Sequence, residues 1–252
     1  LEKALGGTET PVDIDLPTET PEPSTTAPAT QSAQLGSSSV STFLSMLEQL
    51  PTDDAPASHT GYNRDYFNAW IDADGDGCNT RAEVLMMESQ AAVTTRGSCT
   101  VSTGQWTSAY DGVTLTDAGG LDIDHFVPLN EAWGSGAYGW DSATRVSFGN
   151  DLGYDASLLA VTASSNRSKG DKDPAQWMPA SHGYFCDYAA TWVAVKWRWS
   201  LTVDSLERLT LQSVLNGCSN VNITVPEKAA VAAGAAPEAV APVSDGVLDP
   251  NY

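Results

Sequence analysis

All eight tryptophans lie between Trp70 and Trp199, and every phenylalanine lies between Phe43 and Phe185. Large apolar side chains drive burial, so their distribution limits where this chain can form a core. Residues 1–40 are rich in Pro, Thr, Ser, Ala and Glu and poor in aromatics, and residues 226–252 are rich in Ala, Pro and Val. Segments of that composition cannot bury enough apolar surface to offset the entropy of ordering them. The expectation is one domain over residues 41–225, long enough for a sizeable core, between disordered tails at 1–40 and 226–252.

Within the domain the hydrophobic periodicity alternates between the helical and the extended kind. Helices are expected at Ser41–Leu50, with Ser41 as N-cap and Pro51 as terminator, at Asn63–Ile71 and at Thr80–Glu88. Residues Gly97–Leu115 alternate as strands do, with a turn at Tyr110–Gly112. A strand over Leu121–Val127, short helices over Asn130–Ser135 and Ser142–Asp151, and a brief strand over Leu158–Val161 follow. Ser164–Gly170 opens a helix or turn. Tyr184–Trp199 and Val203–Asn216 read as two long amphipathic helices. The fold class is α+β.

Two runs carry groups suited to phosphate chemistry. Asp122 to Trp133 (DIDHFVPLNEAW) sets Asp124 beside His125, and Ser164 to Pro174 (SSNRSKGDKDP) supplies Asn166, Arg167, Lys169 and Lys172. A carboxylate and an amide oxygen can hold a hard cation, a neighbouring histidine can take a proton from water, and basic groups can hold a phosphate. Successive strand residues point to opposite faces, so Asp124 and His125 converge on one phosphate only where the strand ends or bends, as Pro128 suggests. Asp122 shares the parity of Asp124 and is a candidate supporting group.

Asp-His-x-x-Pro, a loop, then Asn with Lys and Gly behind it resembles the HNH or His-Me finger (ββα-metal) nucleases. The runs AWGSGAYGW, FGNDL, LLAV and NRSKGDKDPAQWMP, Arg145 and the Cys186–Cys218 spacing are similar to secreted bacterial HNH endonucleases. GYNRDYFNAWIDADGDGC and TRAEVL upstream extend the resemblance over roughly Gly61 to Cys218. It implies a single α+β domain built around a ββα-metal finger with surrounding helices. It implies His125 as general base, Asp124 and Asn166 as ligands of one Mg²⁺ (or Mn²⁺), and 5′-phosphate products. In many such fingers an asparagine orients the histidine. Its place falls near Ser157 here, so Ser157 is a candidate orienting group, with a backbone carbonyl and Asn150 as alternatives. Arg81, Arg145, Arg167 and Lys169 are candidate phosphate contacts, with Arg145, close to the finger and counted with the catalytic residues, and Arg81, beside a Cys-anchored loop, ranked ahead of the others.

A second metal signal is Asp72 to Glu83 (DADGDGCNTRAE), which fits the calcium loop D-x-D-x-D-G-x₅-E. Its ligands would be Asp72, Asp74, Asp76, the Cys78 carbonyl and Glu83. An acidic turn held by a disulfide at Cys78 is the alternative. The four cysteines form no CxxC pair, which argues against structural zinc, and allow three pairings. Cys78–Cys99 and Cys186–Cys218 are favoured because each closes a local loop. Disulfides imply an oxidising compartment.

The formal net charge of −20 is adverse for a nucleic-acid binder. Residues 1–58 carry nine acids and one Lys, residues 226–252 four acids and one Lys, and the centre nineteen acids against ten Lys/Arg. A local positive groove on an acidic body is therefore expected, with salt-sensitive turnover. The chain begins at Leu1 without an n-region or h-region, which implies that any signal peptide has been removed. Asn166 and Asn222 each open a glycosylation sequon, and a buried metal ligand could not be modified. The reading is a secreted, monomeric, metal-dependent endonuclease that is sugar-nonspecific or prefers DNA to RNA, and does not act on membranes. The alternatives are an extracellular calcium-binding structural module and a small-substrate phosphodiesterase.

Overall fold

The computed structural model describes residues 38–234, so residues 1–37 and 235–252 of the expected tails lie outside the described residues. The chain runs through α1 (Val40–Gln49), α2 (Thr80–Glu88), β1 (Thr94–Arg96), β2 (Thr100–Thr107), β3 (Thr114–Asp117) and β4 (Leu121–His125). It continues through α3 (Leu129–Gly134), α4 (Ser142–Gly149), β5 (Leu158–Thr162), α5 (Ala163–Lys169), α6 (Phe185–Arg198) and α7 (Ser205–Asn216). The α+β expectation holds. Strands β1, β2 and β3 form one antiparallel sheet in that order, and β4 pairs with β5 in a second.

Helix α6 is the centre of the larger core. Every residue from Tyr188 to Lys196 is buried, and α1 and α7 both pack on it. This corrects the amphipathic reading of α6, since a helix covered on all sides needs no polar face. Its one charge within that stretch is satisfied internally. Lys196 Nζ lies 2.7 Å from Glu131 and 2.6 Å from Glu207, tying α3 and α7 to α6. Glu207 also closes the capping box of α7 with Asp204. A smaller core packs Val84 and Leu85 of α2 and Trp106 of β2 against Leu121, Ile123, Leu158 and Ala160 of the β4–β5 pair.

Three local expectations change. Ser39, not Ser41, caps α1 by accepting from Thr42 N at 3.3 Å. The helix expected over Asn63–Ile71 is a single 3₁₀ turn, Arg64–Phe67, because Asn68 (φ 38°) and Trp70 (φ 69°) take left-handed backbone that no helix continues through. The start of the expected C-terminal tail is held in place over residues 226–234. Ala229 N donates to Arg198 O, Asp141 N to Ala232 O and Gly234 N to Gly139 O, and Lys228 Nζ sits 4.1 Å from the Trp197 ring centroid. Backbone hydrogen bonds and this cation–π contact supply what the apolar content does not.

At the end of α2, Glu88 Oε2 accepts from Ala160 N of β5 at 3.0 Å, while Oε1 is buried without a partner. Burial pushes this carboxyl up to about 7, offset in part by the Ala160 bond and increased by Asp155. The folded chain thus holds the proton more tightly than the unfolded chain. The stabilisation is complete below the unfolded value of 4.5 and is lost as pH rises through about 7. Glu88→Gln should remove about 2 kcal/mol of this pH dependence. Melting curves should show the variant gaining on wild type from pH 5 to pH 8. Parallel profiles would contradict the assignment.

Candidate active site

Strand β4 is buried at every residue and pairs with β5 in continuous register, Leu121 opposite Thr162 through to His125 opposite Leu158. Helix α5 follows β5 directly, so the pair and the helix form a ββα unit. Alternation sends Leu121 and Ile123 into the smaller core, and it turns Asp122 and Asp124 toward α5. A cleft of about 300 Å³ opens along this unit, with Asp122, Asp124, His125, Asn166 and Arg167 on one side and Tyr62, Arg64 and Trp70 among its other lining residues.

His125 is nearly fully buried, and its Nε2 lies 2.9 Å from Gly149 O. A carbonyl only accepts, so Nε2 carries the proton and Nδ1 is left as the basic nitrogen of a neutral ring. Burial pushes the His125 pKa down to about 3 against the opposing Gly149 bond, and the charges of Arg64 and Lys169 lower it further. The ring is therefore unprotonated at neutral pH. The orienting group is the Gly149 carbonyl, the backbone alternative among the candidates. Ser157 is corrected, since its Oγ donates to Asp151 Oδ2 at 2.7 Å. Gly149 is required by close approach: a Cβ there would lie 2.7 Å from Phe67 O.

Asp124 is also buried. Its Oδ2 accepts from Tyr110 Oη at 2.5 Å and from Lys169 Nζ at 2.6 Å. Burial raises the Asp124 pKa and lowers that of Lys169, and each charge opposes the other's shift. Lys169 has no exposed surface and also donates to His125 O at 3.0 Å, which corrects its assignment as a substrate contact. It braces the end of β4 from within. Asn166 bonds Asp122 rather than Asp124, with Nδ2 to Oδ2 at 3.2 Å, and Arg167 Nε lies 3.5 Å from the same oxygen. Asp122 thus faces the cleft itself.

The other arginines divide. Arg81 borders the cleft but donates to Leu121 O at 2.9 Å. Arg145 is buried, donates to Trp140 O at 2.5 Å and sits 5.9 Å from the Tyr66 and Trp133 ring centroids. Its expected place at the chemistry is corrected, because its guanidinium is used to hold α4 on the aromatic core. Lys172 donates to Ser168 O at 2.7 Å.

The residues missed by sequence reasoning come from the segment before α2. Trp70 packs against His125 with ring centroids 5.1 Å apart. Its left-handed backbone costs on the order of 1–3 kcal/mol, and Asn150 holds the strained stretch by accepting from Ile71 N and donating to Asn68 O, both at 3.0 Å. The quoted run GYNRDYFNAW contains Arg64 and Trp70, and that motif was the available signal.

Asp72, Asp74 and Asp76 come together with one carboxylate oxygen each inside a 4.8 Å spread, all exposed. Gly75 and Gly77 there have φ of +77° and +93°. Burial raises the Glu83 pKa, and the charges of Asp74, Asp76 and Asp72 raise it further, while its Oε2 is buried without a partner. The disulfides are Cys78–Cys99 and Cys186–Cys218, as favoured, and no described cysteine is free.

Residues 76–211 match a family model described as GmrSD restriction endonucleases, C-terminal domain. An uncharacterized secreted protein of Arthroderma benhamiae is 43% identical over 199 residues, which cover 79% of this chain and 92% of that relative. That relative is fungal, whereas the resemblance read from the sequence was to secreted bacterial HNH endonucleases. No solved structure matches.

Proposed function

The chain belongs to the family of the GmrSD restriction endonuclease C-terminal domain, and from that premise we propose that it is a secreted, monomeric, metal-dependent endonuclease. It hydrolyses phosphodiester bonds of nucleic acid, DNA ahead of RNA, without strong sequence preference. The observation that carries this reading is His125, a neutral imidazole with Nε2 bonded to a carbonyl, in a cleft shared with Asp122, Asp124 and Asn166. The ββα unit is read as a His-Me finger. The relative's description as secreted and the two disulfides agree with an extracellular protein. Among the described residues no helix is long and apolar enough to cross a membrane.

Asp124 and Asn166 would hold the catalytic cation, with Asp122 beside them. Lys169 and Tyr110 both bond Oδ2 of Asp124, which leaves Oδ1 as the ligand atom, and Asn166 donates through Nδ2, which leaves its carbonyl oxygen. Such oxygen donors fit Mg²⁺ or Mn²⁺. When bound, the ion offsets charge on the phosphate and on the leaving oxygen. His125 takes the proton of the attacking water on Nδ1, while Gly149 O fixes the tautomer and Trp70 fixes the ring. Lys169 holds Asp124 in place.

A supercoiled plasmid should be nicked and then linearised in Mg²⁺, spared in chelator, and cut again when metal is restored. Asn166→Ala should move the metal-activation curve to higher concentration, and an unmoved curve would remove Asn166 from the ligand set. Cleavage of bis(p-nitrophenyl) phosphate alone would favour the small-substrate phosphodiesterase. Cleavage of neither would favour the calcium module.

A structural Ca²⁺ is proposed at Asp72, Asp74, Asp76, the Cys78 carbonyl and Glu83. A cation bound only to the folded state stabilises it by mass action. Calcium should raise the melting temperature of wild type but not of Asp74→Ala with Asp76→Ala. Equal shifts in both proteins would leave the loop an acidic turn.

A further inference from the structure

Of the three arginines that border the cleft, two are engaged. Arg81 donates to Leu121 O, and Arg167 lies beside Asp122. The guanidinium of Arg64 makes neither an ion pair nor a hydrogen bond among the described residues, although Asp122 and Asp171 line the same cleft. An arginine left unpaired in so acidic a protein is conspicuous, because carboxylates to pair with are abundant.

The mounting of Arg64 is rigid. It opens the 3₁₀ turn Arg64–Phe67, whose N-cap Asn63 accepts from Asp65 N at 2.9 Å. Phe67 is fully buried at the other end, packed on Phe148 of α4 with ring centroids 5.9 Å apart. The carbonyl of Phe67 is the atom that approaches Gly149, and Gly149 O in turn holds His125. The turn that carries Arg64 and the ring of His125 therefore share one support.

We propose that Arg64 is the phosphate-binding arginine of the cleft, its guanidinium taking a nonbridging oxygen of the nucleic-acid strand beside His125. A planar fork of donors with no protein partner suits two oxygens of one phosphate. The sequence-based candidates Arg145 and Lys169 are buried and do not line the cleft, whereas Arg64 does. This inference rests on the nuclease reading for its substrate.

The test measures binding and cleavage separately. A fluorescein-labelled DNA oligonucleotide is titrated with wild type, Arg64→Ala and Arg64→Lys in chelator, across a salt series, and the same proteins are assayed for cleavage in Mg²⁺. Arg64→Ala should weaken binding and lower kcat/KM on the order of 10–100-fold, as loss of a hydrogen bond to a charged group does. It should also flatten the dependence of log K on log salt by about 1. Arg64→Lys should recover part of the affinity and the full salt slope, because it restores charge without the fork. Both variants should melt with wild type, which separates phosphate binding from a folding defect. Affinity and salt slope equal to wild type in Arg64→Ala would overturn the proposal even if wild type cuts DNA. Weakened binding by Arg64→Ala with no cleavage by wild type would leave the phosphate site standing and remove the nuclease reading.

Discussion

Replacing His125 with alanine is expected to lower the single-turnover rate of DNA cleavage by about 10²–10⁴-fold, the usual contribution of a positioned general base. The expectation follows from the ring's surroundings. Nε2 is committed to Gly149 O, burial holds the ring neutral, and Nδ1 is the remaining basic nitrogen. The described cleft has no second histidine to replace it. Loss of the ring also removes packing against Trp70, so the variant should be less stable by about 1–2 kcal/mol. A melting curve of the variant checks that it is folded at assay temperature. Oligonucleotide affinity should be nearly unchanged, because the base acts on water rather than on the phosphate. A variant that turns over near the wild-type rate would remove His125 from the mechanism.

The largest expected loss of stability is at Asp151. Its buried carboxylate accepts from Arg198 Nε and Nη2 and from Trp199 Nε1, each at 2.9 Å, and from Ser157 Oγ at 2.7 Å. Removing it leaves Nε and Nη2 of Arg198, an indole and a hydroxyl without their acceptor, while Arg198 Nη1 keeps Glu227 O. Breaking a buried ion pair on one side costs about 3–5 kcal/mol. Asp151→Ala should therefore lower the melting temperature on the order of 10 °C. Ser157→Ala removes one neutral donor and should cost about 1 kcal/mol with cleavage intact. If Ser157→Ala instead abolished cleavage in a folded protein, the structural reading of Ser157 would fail. An Asp151→Ala variant that melts with wild type would show that the network carries no stability.

What sequence made legible is which side chains the fold brings near one another at short range. Asp124 and His125 are adjacent, Asn166 follows β5 within one helical turn, and the Asp72–Glu83 spacing is local. Both disulfides followed from the same locality. The boundaries of α2 were legible because Asn79 caps it and its apolar positions face one way. What stayed hidden depends on burial and on backbone. Arg145 and Lys169 look like substrate contacts by charge, but a charge in a sequence does not say whether its partner is a ligand or a buried carbonyl or carboxylate. The orienting group of His125 is a main-chain carbonyl, which has no residue signature. Arg64 and Trp70 stand more than fifty residues before His125 and reach it only through left-handed backbone at Asn68 and Trp70, a conformation that periodicity cannot register. The all-round burial of α6 was missed for a related reason, because Lys196 breaks an apolar face in sequence yet is matched by Glu131 and Glu207 in space.

The most direct measurement is cleavage of an end-labelled DNA duplex in ¹⁸O-enriched water with Mg²⁺, followed by mass analysis of the new termini, on wild type and His125→Ala in parallel. Hydrolysis by a water that His125 deprotonates predicts one ¹⁸O in each newly formed 5′-phosphate from wild type, and about 10²–10⁴-fold fewer such termini per unit time from the variant. Absence of cleavage by wild type, products without the label, or equal yields from the two proteins would contradict the account.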